Sequence, residues 1–438
     1  MVPLHWREGI RGSSCMAKTF REWNVEQSWL LPPSVMDFVP ADHVAHFVRD
    51  TVREQLDLSA ILAPYDQEER GFPPYHPVMM TALLLYAYCQ GIYSSRRIAR
   101  ACEERVDFMA VTGLNRPDFR TVSDFRKRHL PALQGLFVQV LRLCQRSGLV
   151  SLGHVALDGT KIKANASKHK AMSYERMGES ERRLKREVKD WFERARNADE
   201  AEDRQHGAQR RGDELPDWVA DKQRRIQKIR EAKAALEAEA RAQGQHTPKP
   251  DAQRNFTDPD SAIMGKRGKE YVQAYNGQAA VDERAQVIVA QSLGNCAADT
   301  RELEPIVRQI KLNTGRQARE FSADAGYCSE GNLAVLARHR IRPYIATGRQ
   351  RHSEASATGR RRTTGPRTAA MRRSLARAGR RSRYRLRKTL PEPVFGQIKQ
   401  ARGFRQFLLR GLDKVRAEWS LICTVHNLLK LAKAVKAT

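Results

Sequence analysis

The feature that most constrains this chain is the order in which its apolar periodicities follow one another. Helical spacing runs to about residue 150. A single short apolar strand follows at 153–158, and a long, charged helical stretch then separates it from every other β-patterned segment. Ala41 to Leu56 places Val44, Phe47, Val48, Val52 and Leu56 at helical spacing, and Val78 to Gln90 is apolar nearly all round, as a buried helix would be. Gly91 to Ser95 reads as a turn in which Ser94 or Ser95 caps a helix over Arg96 to Val111. A second cap at Thr121 or Ser123 opens Asp124 to His129.

Met172 to Gln243 is rich in Glu, Arg, Lys and Ala, with a sparse apolar stripe of Leu184, Val188, Trp191, Phe192, Trp218, Ile226, Ile229 and Leu236 and a break at Gly207 to Pro216. It predicts a hairpin of two long charged helices, with Trp191 and Trp218 packing between them. Gly244 to Asp260 is a linker whose Asp258 and Asp260 are expected in turns. From Tyr271 the pattern alternates, and Tyr271 to Val281 and Gln286 to Ser292 read as a β-hairpin with Asp282 in its turn. Thr300 to Lys311 is then helical, Arg319 to Asp324 a strand ending in a carboxylate, Ser329 to His339 a helix and Ile341 to Ala346 a strand. Arg349 to Lys388 is intensely basic and reads as irregular, contacting a polyanion. Leu390 to Arg402 and Lys414 to Lys436 are closing helices.

Lysine and arginine total 78 against 50 acidic residues in 438, a net charge of +28. Such an excess points to a polyanionic partner, nucleic acid first. Arg96, Arg97 and Arg100 are expected on the exposed face of their helix with Ile98 and Ala101 inward, and the helix, Gly-bearing turn and basic helix resemble a helix-turn-helix DNA reader. An ordinary helical pair with a solvated basic face is the alternative. The cysteines (Cys15, Cys89, Cys102, Cys144, Cys296, Cys328 and Cys423) lack C-x-x-C spacing, so reduced thiols in a cytoplasmic protein are expected and a zinc site is not. The longest apolar run, Pro77 to Cys89, is shorter than the roughly 20 residues a bilayer requires. Residues 1–15 read as a disordered extension without the apolar core of a signal peptide.

With the charged hairpin set aside, the order after residue 150 is strand, strand, strand, helix, strand, helix, strand, helix, helix. That order matches an RNase H-like fold, in which the first and fourth strands lie side by side and bring Asp158 and Asp324 together at the sheet's carboxyl edge. A late helix can add Glu392. Three hard oxygen ligands suit Mg²⁺ or Mn²⁺, and two such ions can clamp an in-line phosphoryl displacement.

Three motifs now stand in order. Val155-Ala-Leu-Asp158-Gly-Thr160-Lys161 is one, Ser322-Ala-Asp324-Ala-Gly326-Tyr327 the second, and Tyr384-Arg-Leu-Arg387 with Glu392-Pro-Val-Phe395-Gly-Gln-Ile-Lys399 the third. Together they resemble a DDE-type insertion-sequence transposase of the bacterial group with a Tyr-Arg-Glu-Lys signature. Arg402-Gly403-Phe404, Leu409 to Leu412, Trp419 and His426-Asn427-Leu428 extend the likeness. Four residues rather than three separate Arg387 from Glu392, and Pro391 places Glu392 in a first helical turn. Lys399, seven positions on, is expected on the same helical face.

The resemblance implies a catalytic and metal-binding triad of Asp158, Asp324 and Glu392, with Lys161, Lys163, Tyr384, Arg387, Lys399, Arg96, Arg97 and Arg100 on DNA. It implies binding of terminal inverted repeats, strand cleavage and strand transfer into target DNA by a homodimer or larger assembly, with no membrane and no small-molecule substrate. The expected organisation is an all-α DNA-binding domain over 16–150 and an α/β catalytic domain of RNase H-like fold over 151–438. The latter carries the hairpin insertion at 172–244 and the basic segment at 349–388. A catalytically inactive, domesticated DNA-binding protein and a metal-dependent nuclease that cuts without joining are the alternatives.

Overall fold

A computed structural model describes residues 34–65, 73–206, 217–242, 244–265, 271–296, 298–348 and 365–436. The expected extension at 1–15 and the first part of the basic segment, 349–364, lie outside them. None of the described helices is long and apolar enough to cross a membrane.

Among the described residues, seven α-helices precede the sheet: α1 (Val44–Glu54), α2 (Ser59–Leu62), α3 (Pro77–Cys89), α4 (Ser95–Glu104), α5 (Val106–Thr112), α6 (Phe119–Arg128) and α7 (Leu130–Arg146). Pro77 at the first turn and the all-round apolar sequence make α3 the buried centre of this layer, as expected. The expected helix over 96–111 is two helices. Arg105 adopts an extended conformation between them, and its guanidinium pairs with Asp107. The cap before 124 also differs: Asp118, not Thr121 or Ser123, accepts the backbone N–H groups of Arg120 and Thr121, so α6 starts earlier.

The sheet comprises β1 (His154–Lys163), β4 (Ala262–Met264), β5 (Val272–Asp282), β6 (Ile288–Gly294), β7 (Glu320–Ala323) and β8 (Arg342–Ile345). A two-stranded ladder of β2 (Ala171–Ser173) and β3 (Gln253–Asn255) stands apart. β1 is central. It runs antiparallel to β5 and parallel to β7, β8 continues beyond β7, and β6 flanks β5 on the other side. Asp282 is the turn residue expected, and its carboxylate also accepts the backbone N–H groups of Ser151 and Leu152. His154 is structural as well, buried between Glu320 and Ser322.

The charged hairpin is present as α8 (Tyr174–His206) and α9 (Asp217–Ala242), with residues 207–216 outside the described set. It has its own small core of Met177, Leu184, Ile226, Ile229, Ala232 and Leu236, and Trp191 meets Trp218 edge to face at 6.0 Å. After β6 come α10 (Leu303–Thr314), α11 (Glu330–Arg338), α12 (Pro366–Ala378), α13 (Leu386–Thr389), α14 (Pro391–Gly396) and α15 (Leu412–Lys436). The described part of the segment expected to be irregular is therefore helical. Thr368, Met371 and Leu375 bury one stripe of α12 beneath its basic surface.

One continuous hydrophobic core joins the N-terminal helices, the sheet and α15. α15 lies against α7, α3 and β6. Asn427 locks it to β6 by accepting from the N–H of Ile288 and donating to the carbonyl of the same residue, both at 2.8 Å. Asp258 and Asp260 do more than form turns: Asp258 is buried, accepts from Tyr275 and from the N–H of Gly411, and Asp260 accepts from the N–H of Leu412, so together they fix the start of α15. The turn before α4 docks on Arg402, whose carbonyl accepts the Tyr93 hydroxyl at 2.9 Å. Gly91 has φ +71° and its Cα lies so close to Arg402 that a Cβ would come within 2.7 Å of the Arg402 carbonyl oxygen.

Candidate active site

The parallel pairing of β1 with β7 sets the centre of the site. Val155 lies opposite Phe321 and Ala156 opposite Ser322, and each strand then runs two residues further to an aspartate. Equal offsets from one pair bring Asp158 and Asp324 side by side. Asp324 ends its strand, as expected. Asp158 does not: β1 continues to Lys163 because β5 pairs with it along that whole length, Asp158 standing opposite Ala279. The aspartate lies at an edge only with respect to β7, which stops at Ala323.

Each carboxylate is held in the same way. Asp158 Oδ1 accepts the N–H of Gly159 at 2.9 Å, and Asp324 Oδ1 accepts the N–H of Gly326 at 2.8 Å. Their Oδ2 atoms converge on one cation, the Arg387 guanidinium of α13, whose Nη2 lies 3.1 Å from Asp158 and 4.0 Å from Asp324. Burial pushes the Asp158 carboxyl above its ordinary range, the neighbouring Asp324 adds to this, and Arg387 opposes it. Burial works against the charge of Arg387 too, but Asp158 and Asp324 together hold it more firmly protonated than a free guanidinium. Its Nε is buried without a partner among the described residues.

Glu392 lies in the first turn of α14 behind Pro391, as expected, and is exposed. Among the described residues, no three His, Cys, Asp or Glu side chains stand close enough together to hold a metal ion. The two aspartates are thus brought together and Glu392 does not join them in a three-ligand set. Two hard carboxylates that share one positive nitrogen are a donor set that fits a divalent cation in chemistry, and the third ligand is the part the arrangement leaves open.

Lys399 departs from the expected register. Residues Gln397–Ala401 form a π turn, so seven positions no longer equal two α-helical turns, and Lys399 does not repeat the outward direction of Glu392. Its Nζ points inward and donates to the Lys161 carbonyl at 2.7 Å, and burial lowers its pKa to about 8. Tyr384 is buried in the core beside Arg387 rather than displayed. Lys161 is half-buried and Lys163 exposed at the end of β1. On α4, Arg96, Arg97 and Arg100 are exposed while Ile98 and Ala101 are buried, as the periodicity implies. Arg100 is paired with Glu104 and Arg96 lies over the Phe119 ring.

A carboxylate that sequence analysis did not single out also belongs to this neighbourhood. Asp299 Oδ1 accepts from Asn276 Nδ2 at 2.7 Å and from Gln278 Nε2 at 2.9 Å. Gly159 and Gly326 are what leave it room: a Cβ would stand 2.9 Å from Asp299 Oδ1 at the first and 3.3 Å from its Oδ2 at the second. Gln278 passes the network on to Tyr327, whose hydroxyl donates to it, and burial drives that phenol far above its ordinary pKa, with Asp299, Asp158 and Asp324 adding to the effect. A lone aspartate in a loop after β6 carries no spacing signal. The only clue was the polar Asn276 and Gln278 on alternate positions of an otherwise apolar strand. Asp299→Ala is expected to leave the buried Gln278 Nε2 without its acceptor and Asn276 Nδ2 with only the Cys296 carbonyl, and to lower unfolding free energy by about 1–3 kcal/mol, read from urea denaturation midpoints.

Residues 33–128 match the family described as Transposase domain (DUF772), and residues 241–428 match the family described as Transposase DDE domain. The first match covers α1 to α6, and the second runs from the end of α9 into α15 and contains Asp324 and Glu392. Asp158 lies between the two and is placed by the strand register. No curated protein matches the chain. The sheet order, with the strands that carry Asp158 and Asp324 side by side, is that of an RNase H-like fold. The chain belongs to the DDE transposases of insertion sequences, enzymes of DNA transposition that depend on metal ions as a family.

Proposed function

We propose that this transposase binds the terminal inverted repeats of its element, cuts the strand at each end and joins the freed 3′ hydroxyl to target DNA, with Asp158, Asp324 and Glu392 as its metal ligands. The observation that carries this reading is the convergence of Asp158 and Asp324 on a single cationic nitrogen. Mg²⁺, or Mn²⁺ in its place, would supply there the charge that neutralises the scissile phosphate and activates the attacking oxygen, two ions serving the two sides of the displacement. The chain's own residues do the positioning. The N–H groups of Gly159 and Gly326 hold the two carboxylates in fixed directions, and Tyr384 buttresses Arg387. Arg387, released from the aspartates, is placed to meet a phosphate of the bound end, as are Lys161 and Lys163 along β1, and Lys399 joins them once its Nζ gives up the Lys161 carbonyl. Arg96, Arg97 and Arg100 present the exposed cationic face of α4 to the inverted repeat. Two ends must be held at once, so a homodimer or larger assembly forms on DNA, in the cytoplasm where the nucleoid is.

The test is incubation of the purified chain with labelled element ends and Mg²⁺ or Mn²⁺. Nicked ends and joined products are expected. Nicking without joining favours the nuclease reading, and binding without nicking favours a domesticated DNA-binding protein. Glu392→Gln, at an exposed position, is expected to fold and bind ends normally yet lose nicking. Retained nicking would remove Glu392 from the triad.

A further inference from the structure

The base of the helical hairpin holds a concave site outside the catalytic neighbourhood. A cavity of about 360 Å³ opens between the segment that follows β1 and the middle of α9. His169 and Lys170 line one wall and Arg225 and Lys228, one helical turn apart, the other, with Ile229 and Phe256 among its apolar residues and no carboxylate in the lining. The first wall is firmly held: β2 pairs with β3, the N–H of Phe256 donates to the Lys170 carbonyl, and Asn255 Nδ2 donates to the Ser167 carbonyl.

What marks this place is that its cations gather around one concavity with no acid among them. Many other cations of the hairpin are compensated: Lys185, Arg230 and Lys233 share Glu181, Lys222 holds Glu187, Lys189 pairs with Glu193 and Arg224 with Asp221. Glu181 answers three of them and is held at a pKa of about 2, its hydrogen bond from Lys185 first among the causes. His169, Lys170, Arg225 and Lys228 form no ion pair with any described residue. Arg225 acts on Glu187 only at longer range, and Lys222 already holds that carboxylate at 2.6 Å. Like charges gathered around a concavity repel one another, and an anion seated between them relieves the repulsion.

We infer that this cavity seats backbone phosphates of DNA lying beside the cut, so that the hairpin is a second DNA-binding element. The inference rests on the proposed action on DNA. Lys170 is twelve residues beyond Asp158 in the chain, which puts the cavity within about 40 Å of the aspartates, or about 12 base pairs of duplex. Arginine and lysine on opposite walls suit a phosphodiester, which carries one charge and no base information, so the contact contributes affinity irrespective of sequence.

The experiment measures binding of an arbitrary-sequence DNA duplex to the full chain across a salt series. Arg225→Gln with Lys228→Gln is compared with Lys189→Gln plus Arg224→Gln, which removes the same charge from ion-paired, exposed positions of the same hairpin. The cavity variant is expected to bind roughly ten- to fifty-fold more weakly near 0.1 M salt, with the slope of log affinity against log salt reduced by about 2. The paired-cation variant is expected to keep both within about twofold of the unaltered protein. A cavity variant with the unaltered slope, or a paired-cation variant equally weakened, overturns the inference while leaving the transposase reading intact. An unaltered protein that fails to bind the duplex overturns both.

Discussion

Asp158→Asn and Asp324→Asn are each expected to reduce end cleavage and strand transfer by on the order of a thousand-fold or more while leaving DNA binding in place. The asparagine amide keeps the shape and can still accept the N–H of Gly159 or Gly326. What it removes is the negative oxygen that faces Arg387. A neutral amide cannot replace that charge for a hard cation, and groups that act as a unit fail together, so either substitution alone approaches the loss from both. A thermal measurement separates this from misfolding. Mn²⁺ is expected to raise the melting temperature of the unaltered chain and to leave both variants unmoved, since a cation stabilises only a state it binds. Asp158→Ala differs in kind, because it leaves the mostly buried Arg387 with only the more distant Asp324. A stability loss of up to about 3 kcal/mol is expected there and not in Asp158→Asn. Cleavage that survives Asp158→Asn would remove strand register as the basis of the site.

Much of this site was legible because its signal was topological. Two apolar strands that each carry an aspartate, standing first and fourth in an RNase H-like order once the charged hairpin is set aside, announce their adjacency, and the structure gives β1 and β7 that adjacency. Where sequence analysis failed, three-dimensional context was the reason. Gly159, Thr160 and Lys161 read as the polar end of a strand, yet β5 supplies partners to Lys163, so polarity did not stop the ladder. In α12 the arginines hid a short buried stripe, since only Thr368, Met371 and Leu375 turn inward. The π turn at Gln397–Ala401 adds backbone to one helical turn and breaks any argument from a seven-residue spacing, which is why Lys399 meets the Lys161 carbonyl rather than standing above Glu392. Asp299 carried no spacing at all, and its role exists only through Asn276 and Gln278 on β5. The tail residues were noticed as part of a family likeness, and the structure gives several of them packing work: Asn427 against the edge of β6, and Trp419 under Gly277.

Trp419→Ala is expected to be among the most damaging substitutions away from the aspartates, costing about 3–5 kcal/mol of unfolding free energy. The indole is fully buried and packs closely on Gly277, where a Cβ would stand 3.1 Å from the ring. Its Nε1 donates to the Gln278 carbonyl at 3.2 Å, fixing α15 to β5 at the strand that also holds Asp299. Trp419→Phe keeps most of the buried area but abandons that hydrogen bond, so about 1–2 kcal/mol is expected from it. The form of the transition is as informative as its midpoint. α15 is shared between α7, α3 and β6 within one core, so loosening it loosens the N-terminal helices and the sheet together. Urea unfolding of Trp419→Ala should therefore remain a single transition by circular dichroism, moved to lower denaturant with its slope retained. Two separated transitions would mean that the N-terminal helices and the sheet carrying the aspartates are independent bodies, and that the shared core couples them far less than its burial implies.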